Sequence, residues 1–382
     1  MRHDARMAED SIACVPVQGV RRLPFVDGIR GLAATIVLLN HLIFIVPDMR
    51  APEAGDAAWQ DWLVWPFRFG GEMVFLFLFV SGFSLYYSER SRQLKGRPAT
   101  TFRQFIARRA WRIGPVYYTA FVFGLAVLPI VINLRLRAET AVPSLTAGGV
   151  VSHLFLVHNL RTTWLYQANG PLWSIAFEAQ LYLLFPILFV AMRRWNPLVV
   201  AVGVVAAVKA VSLLHLGFPV FGLARWFVAG ALLAELAARG IRLDLRVALP
   251  VGMASLLLGM ASLPQLGSEL RHDAIWLVAF VFLALAALEA PASSRNPMVW
   301  EPLRWLGLRS YSLYALHWPL LLLLLLLAQD LELHGRVAAL LTVGLGVPLA
   351  LAVSALSFRF IEGPSLRRVA RVGEPQRRVA PR

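Results

Sequence analysis

The chain has 382 residues, of which 58% are hydrophobic and 15% charged, and its mean hydropathy is +0.64. Soluble domains carry about 25% charge, so this composition excludes an ordinary soluble globule and leaves no room for a separate soluble domain. The formal charge of +15 reads as Lys and Arg gathered in cytoplasmic loops rather than as a nucleic-acid surface, and the single cysteine, Cys14, excludes a disulfide framework or a cysteine metal cluster.

Residues 1–28 mix charge and proline without an apolar core, which predicts a cytoplasmic N-terminal segment and no cleavable signal peptide. Ten apolar runs follow, near 30–47, 73–88, 113–134, 173–192, 197–214, 220–238, 247–264, 273–290, 308–328 and 338–358. A spanning helix needs about 20 such residues. A weaker run at 147–160 is short for a span and contains His153 and His158. The positive-inside rule decides its status. If it does not cross, 28 Lys and Arg fall inside and 7 outside; if it crosses, the split is 16 against 19 and the bias vanishes. The expected fold is therefore an all-α polytopic membrane protein of about ten transmembrane helices. Residues 147–160 form an interfacial or re-entrant segment on the outer side, and both termini are cytoplasmic. Residues 29–362 make the membrane domain. Residues 363–382 read as a disordered basic cytoplasmic tail that meets anionic lipid.

Charged and titratable groups in hydrocarbon are costly, so each is a functional candidate. On the first run Arg30 and His41 are eleven residues apart, about 20° around a helix and about 16 Å along it, and project from one face. The second run ends in Val80-Ser81-Gly82-Phe83, where small residues favour close helix packing. The loop 88–112 closes with Arg108-Arg109-Ala110-Trp111-Arg112-Ile113-Gly114-Pro115, followed by Tyr117-Tyr118. Arg109 and Arg112 share a face, and planar guanidiniums suit phosphate oxygens, whether of a cytoplasmic donor or of lipids. The fourth run opens with Asn169-Gly170-Pro171-Leu172-Trp173-Ser174 and carries Glu178 and Tyr182 at i, i+4. A carboxylate at that depth needs a partner; His41 is expected, with Arg225 as the structural alternative. Further along stand His317 in Tyr314-Ala315-Leu316-His317-Trp318-Pro319 and Glu362 in Ile361-Glu362-Gly363-Pro364. His41, His317 and Glu178 match no metal-ligand spacing, so no metal is expected.

Taken in order, these motifs resemble the acyltransferase 3 family of integral membrane acyltransferases over about residues 24–368. Val26-Asp27-Gly28-Ile29-Arg30-Gly31-Leu32-Ala33 with His41 is similar to its Arg-x10-His helix, and Val80-Ser81-Gly82-Phe83 to its second-helix motif. Arg109-x-x-Arg112-Ile113-x-Pro115 and Pro171-Leu172-Trp173-Ser174 through Tyr182 match its next two. Ser310-Tyr311 through Tyr314, His317-x-Pro319 and Glu362-x-Pro364 match near the end. Between Trp173 and Glu178 the chain reads Ser-Ile-Ala-Phe where the family often has Ser-Leu-Ser-Val, a conservative departure.

The resemblance implies an O-acyltransferase of the bacterial cytoplasmic (inner) membrane. Its donor would be cytoplasmic acyl-CoA, most simply acetyl-CoA, with no bound cofactor. Its acceptor would be a hydroxyl of a carbohydrate or lipid-linked glycan, such as lipopolysaccharide O-antigen or exopolysaccharide. It implies His41 as the central catalytic residue and donor binding by Arg30, Arg109 and Arg112. Glu178 joins His41 in the expected catalytic set, and Ser81, Tyr117, Trp173, Ser174, Tyr182, His317 and Glu362 support it. The family's optional C-terminal esterase-like domain is not expected here. His41 as general base and His41 as transient acyl carrier both stay open. The rival from another class is a transporter or flippase of a glycan, in which the same charged groups would line a pathway.

Overall fold

The computed structural model describes residues 23–45, 65–133, 145–213, 220–262, 269–290, 296–331, 333 and 335–372. They form twelve α-helices joined by turns and short 3-10 pieces, with no strand among the described residues. In chain order these are α1 (Pro24–Ile45), α2 (Gly70–Leu94), α3 (Phe102–Asn133), α4 (Ala147–Leu154), α5 (Leu172–Arg194) and α6 (Pro197–Leu213). The second half comprises α7 (Ala224–Ala238), α8 (Leu245–Ala261), α9 (Glu269–Glu289), α10 (Glu301–Asp330), α11 (Gly335–Ser357) and α12 (Gly363–Arg371).

Among the described residues, eight stretches are long and apolar enough to cross a bilayer: those holding α1, α2, α3, α5, α7, α9, α10 and α11. The fifth and seventh apolar runs become the shorter helices α6 and α8, of 17 residues each, at the low end of what can span. Together they account for the ten runs. Apolar side chains face outward all along the bundle, as on α5, where Leu183, Leu184, Ile187 and Val190 are exposed. In water such a face would be penalised; in hydrocarbon it is solvated. The protein is an integral membrane protein.

As expected, the 147–160 run does not cross: it holds only α4, eight residues and about 12 Å long, plus 3-10 turns. Two other expectations need adjusting. The 88–112 loop is mostly helix: α2 runs to Leu94 and α3 begins at Phe102, so Arg109 and Arg112 sit in the second and third turns of α3. The tail is not disordered from residue 363. A π-helical turn, Phe358–Glu362, continues α11 into α12, which packs on the start of α3. There Ser365 donates to the Trp111 carbonyl, Arg368 stacks 4.4 Å over Trp111, and Arg108 donates to the Val372 carbonyl at 2.8 and 3.1 Å. Residues 373–382 and Cys14 lie outside the described residues.

Two close helix contacts set the frame. At Gly307 of α10 a Cβ would run into the backbone of Asp27, so α1 and α10 touch main chain to main chain. At Gly82 a Cβ would strike the Phe227 carbonyl, which brings α2 equally near α7. Small residues are what permit such approach where lipid supplies no hydrophobic drive between helices. Around these contacts an aromatic core closes, with Phe79, Phe177, Phe185, Trp226, Phe227 and Trp276 all but fully buried.

Candidate functional site

α1 presents Arg30 and His41 to α10. The ring of His41 lies against that of His317, centroids 4.9 Å apart, with His41 Nδ1 at 2.7 Å from His317 Nε2. Trp318 adds its ring edge-on to His41 at 5.0 Å. His317 Nδ1 lies 3.0 Å from the Leu313 carbonyl and 2.9 Å from that of Tyr314. Pro319 carries no N–H, so the Ala315 carbonyl four residues earlier loses its helical donor. The Asn169 amide supplies it at 2.9 Å and also donates to the Ala120 carbonyl of α3 at 3.2 Å. One buried amide thus ties α3 and the start of α5 to α10, two residues from His317.

Glu178 is not paired with His41, nor with Arg225, which pairs with Asp273. Its Oε1 accepts the hydroxyls of Ser81 and Tyr182, each at 2.6 Å, and these two hydroxyls are themselves 3.0 Å apart. A helical Glu and Tyr four apart turn to the same neighbour, and α2 delivers Ser81 there because Gly82 packs on α7.

Arg112 donates to Glu362 Oε1 at 2.8 Å, while Glu362 Oε2 accepts from Ser312 at 2.7 Å. Both oxygens of this buried carboxylate are therefore satisfied, and Glu362 holds Arg112 in place. The π turn aims it: an extra residue per turn rotates Glu362 inward just before Pro364 opens α12. Arg109 stacks 5.5 Å over both Phe105 and Tyr182.

A cavity lies between α1, α2, α3, α5 and α10, and its polar wall is made by Arg30, Arg112, Ser174, Glu178, Tyr182 and Ser310 with Tyr311 and Tyr314. Arg30 makes no ion pair among the described residues, and its Nε is buried without a partner. The cavity thus holds a guanidinium free to take an anion, beside a carboxylate held by hydroxyls. The histidine pair does not line it. It stands behind Tyr314, whose ring is 6.0 Å from that of His317 and 5.7 Å from Phe77. Tyr314 also bonds Ser174 at 2.7 Å.

Two expected supporting residues fall elsewhere. Tyr117 is fully buried and donates to the His153 carbonyl at 2.9 Å, anchoring α4. Trp173 is half-buried against the core. Sequence reasoning gave no role to Tyr311, Tyr314 or Asn169. Tyr311 and Tyr314 precede His317 by six and three residues, one helical stripe, which is the signal that would have placed them.

A family model described as an acyltransferase domain matches residues 23–359. Among curated proteins, the peptidoglycan O-acetyltransferase OatA of Listeria monocytogenes is 24% identical over 372 residues, 90% of this chain. The chain spans about half that relative's length, 55%. No solved structure matches.

Proposed function

The chain belongs to the acyltransferase 3 family of membrane proteins, and from that premise we propose that it moves an acyl group, acetyl in the simplest case, from cytoplasmic acyl-CoA to a carbohydrate hydroxyl of the cell envelope. The observation that carries the proposal is the alignment of an uncompensated guanidinium, a polar cavity and a paired imidazole along one helix, α1.

In this reading the donor's phosphates meet Arg109 and Arg112 at the end of the bundle rich in arginine. Arg30 takes the next anionic or carbonyl group along the arm, and the thioester reaches Tyr314 and His41. The acceptor enters from the opposite end, under α4 and the turns that follow it. His41 removes the hydroxyl proton as the oxygen attacks the thioester carbonyl. The carbon–sulfur bond then breaks, and the leaving thiolate takes that proton from the imidazole, giving the acyl ester and free CoA thiol. Glu178, on the same cavity, orients the acceptor or donor amide groups through its charge. A glycan of peptidoglycan type is one acceptor suggested by the relative's name; lipopolysaccharide and exopolysaccharide hydroxyls have the same chemistry.

The test is purified full-length protein in lipid nanodiscs with radiolabelled acetyl-CoA and envelope glycan. Label is expected in the glycan with CoA release, and His41→Ala should lower the rate by about 10²–10⁴-fold, the usual worth of a general base. Movement of unmodified glycan across the bilayer without CoA release would favour a flippase instead.

A further inference from the structure

The geometry points to His317 as a positioning residue that fixes the tautomer of His41 and leaves Nε2 of His41 as the reacting nitrogen. This deepens the acyltransferase reading and rests on it for its kinetic arm alone.

The deduction starts from acceptors. The Leu313 and Tyr314 carbonyls lie 3.0 and 2.9 Å from His317 Nδ1, and a carbonyl oxygen only accepts. Nδ1 of His317 therefore carries a hydrogen. One hydrogen also lies between His317 Nε2 and His41 Nδ1, 2.7 Å apart. Were it carried by Nε2, His317 would be an imidazolium. His317 is 2% exposed, with Leu313, Tyr314 and Trp318 around it, and no carboxylate bonds either ring among the described residues. A lone buried cation is strongly disfavoured. The hydrogen thus belongs to His41 Nδ1, both rings are neutral, and the lone pair of His41 sits on Nε2.

That arrangement gives His317 the place a carboxylate holds beside the histidine of a Ser-His-Asp triad. It accepts from Nδ1, holds the ring plane and selects which nitrogen is bare. Because His317 is neutral, it does not neutralise the imidazolium that forms when Nε2 takes the hydroxyl proton. The proton is instead returned promptly to the departing thiolate, which suits a base that must not trap it. Free imidazole in water favours the opposite tautomer, hydrogen on Nε2, so without His317 most of the His41 population would present no lone pair in that direction. Gln is the conservative substitute, since its Oε1 reaches about as far as His Nε2 and accepts only, whereas Leu fills the space and accepts nothing.

The experiment is nitrogen NMR on histidine-labelled protein in nanodiscs, with His41 among the eight histidines assigned from the spectrum of His41→Gln. Wild-type His41 should show protonated Nδ1 and bare Nε2, as should His317→Gln, while His317→Leu should move it to the Nε2–H form. In parallel, kcat for labelled acetyl transfer should stay within about 10-fold of wild type in His317→Gln and fall about 100-fold in His317→Leu, with KM for the donor unchanged. A wild-type His41 carrying its hydrogen on Nε2 overturns the inference, and so does a His317→Leu enzyme with undiminished kcat. If His317→Leu does not fold, the wild-type spectrum still decides. Full transfer by His41→Gln would sink the acyltransferase role of His41 and leave the tautomer result standing, so the two failures are told apart.

Discussion

Replacing Glu178 by Gln separates charge from hydrogen bonding at one atom. Gln offers the same acceptor oxygen to the Ser81 and Tyr182 hydroxyls that Glu178 now receives at 2.6 Å, so the fold should survive with its thermal midpoint nearly unchanged. The cavity, however, loses a negative charge from its wall. Acyl transfer should fall about 10-fold or more; equal kcat in Glu178→Gln and wild type, measured by CoA release, would reduce Glu178 to a scaffold. The same residue marks what a sequence can reveal. Its depth in an apolar run announces that it needs partners, but the Ser81 hydroxyl from α2 is invisible until helices are placed, so the sequence points to a cationic partner instead. Arg30 and His41 were legible because both lie on one helix, where spacing fixes the face. The pairing of His41 with His317 depends on the contact between α1 and α10, some 276 residues apart in sequence, and no local pattern encodes it.

At the scale of helices, the main-chain contact at Gly307 is the most demanding joint. Gly307→Ala must push α10 from Asp27, and since α10 carries His317 the effect should reach the histidine pair. Its unfolding temperature and its transfer rate should both drop. Gly114→Ala in α3 is the control, because a methyl there meets nothing nearer than a Tyr118 ring carbon at 3.9 Å; helix propensity then predicts a stability equal or higher by about 0.5–1 kcal/mol. Comparable losses in both variants would contradict this account of the joint.

The segment around α4 yields a pH test. His153 and His158 are fully buried, their rings stacked at 3.6 Å. Burial first, and then the neighbouring His153, push His158 down to about 2; burial likewise lowers His153. An unfolded imidazole titrates near 6.5, so the unfolded chain gains protons that the folded one refuses. Stability is complete above pH 6.5 and falls as pH drops below it, by up to about 1.4 kcal/mol per unit for each ring. The thermal midpoint should decline from pH 6.5 to 5, and less so in His158→Phe; a flat profile counts against burial of the pair. Helix existence and order could be read from apolar runs. The extension of α3 back to Phe102 and the helical start of the tail could not, since polar turns beyond the hydrocarbon are held by packing, here of α12 on α3, rather than by hydropathy.

For the molecule as a whole, the charge count and the non-crossing α4 together predict that Tyr166, before α5, faces outward and Trp195, after it, faces the cytoplasm. Both are exposed, at 55% and 61%. With Cys14 replaced by Ser, a membrane-impermeant maleimide applied to intact cells should label Tyr166→Cys and spare Trp195→Cys; the reverse would invert the topology and, with it, the side from which the donor arrives. Hydropathy made the helices legible and charge bias supplies their orientation as a prediction, whereas the cavity, built from five helices at once, could not be read from sequence.

The two imidazoles ride on helices whose backbones touch, so the joint that brings them together leaves little room for a larger side chain. On the proposed transfer reading, the choice of acceptor falls to the segment between α4 and α5, which Asn159, exchanging hydrogen bonds with Gln180 of α5 at 2.7 and 3.2 Å, holds to the bundle. On that reading a change of acceptor needs only a rebuilt doorway, with the joint between the two histidine helices left as it is.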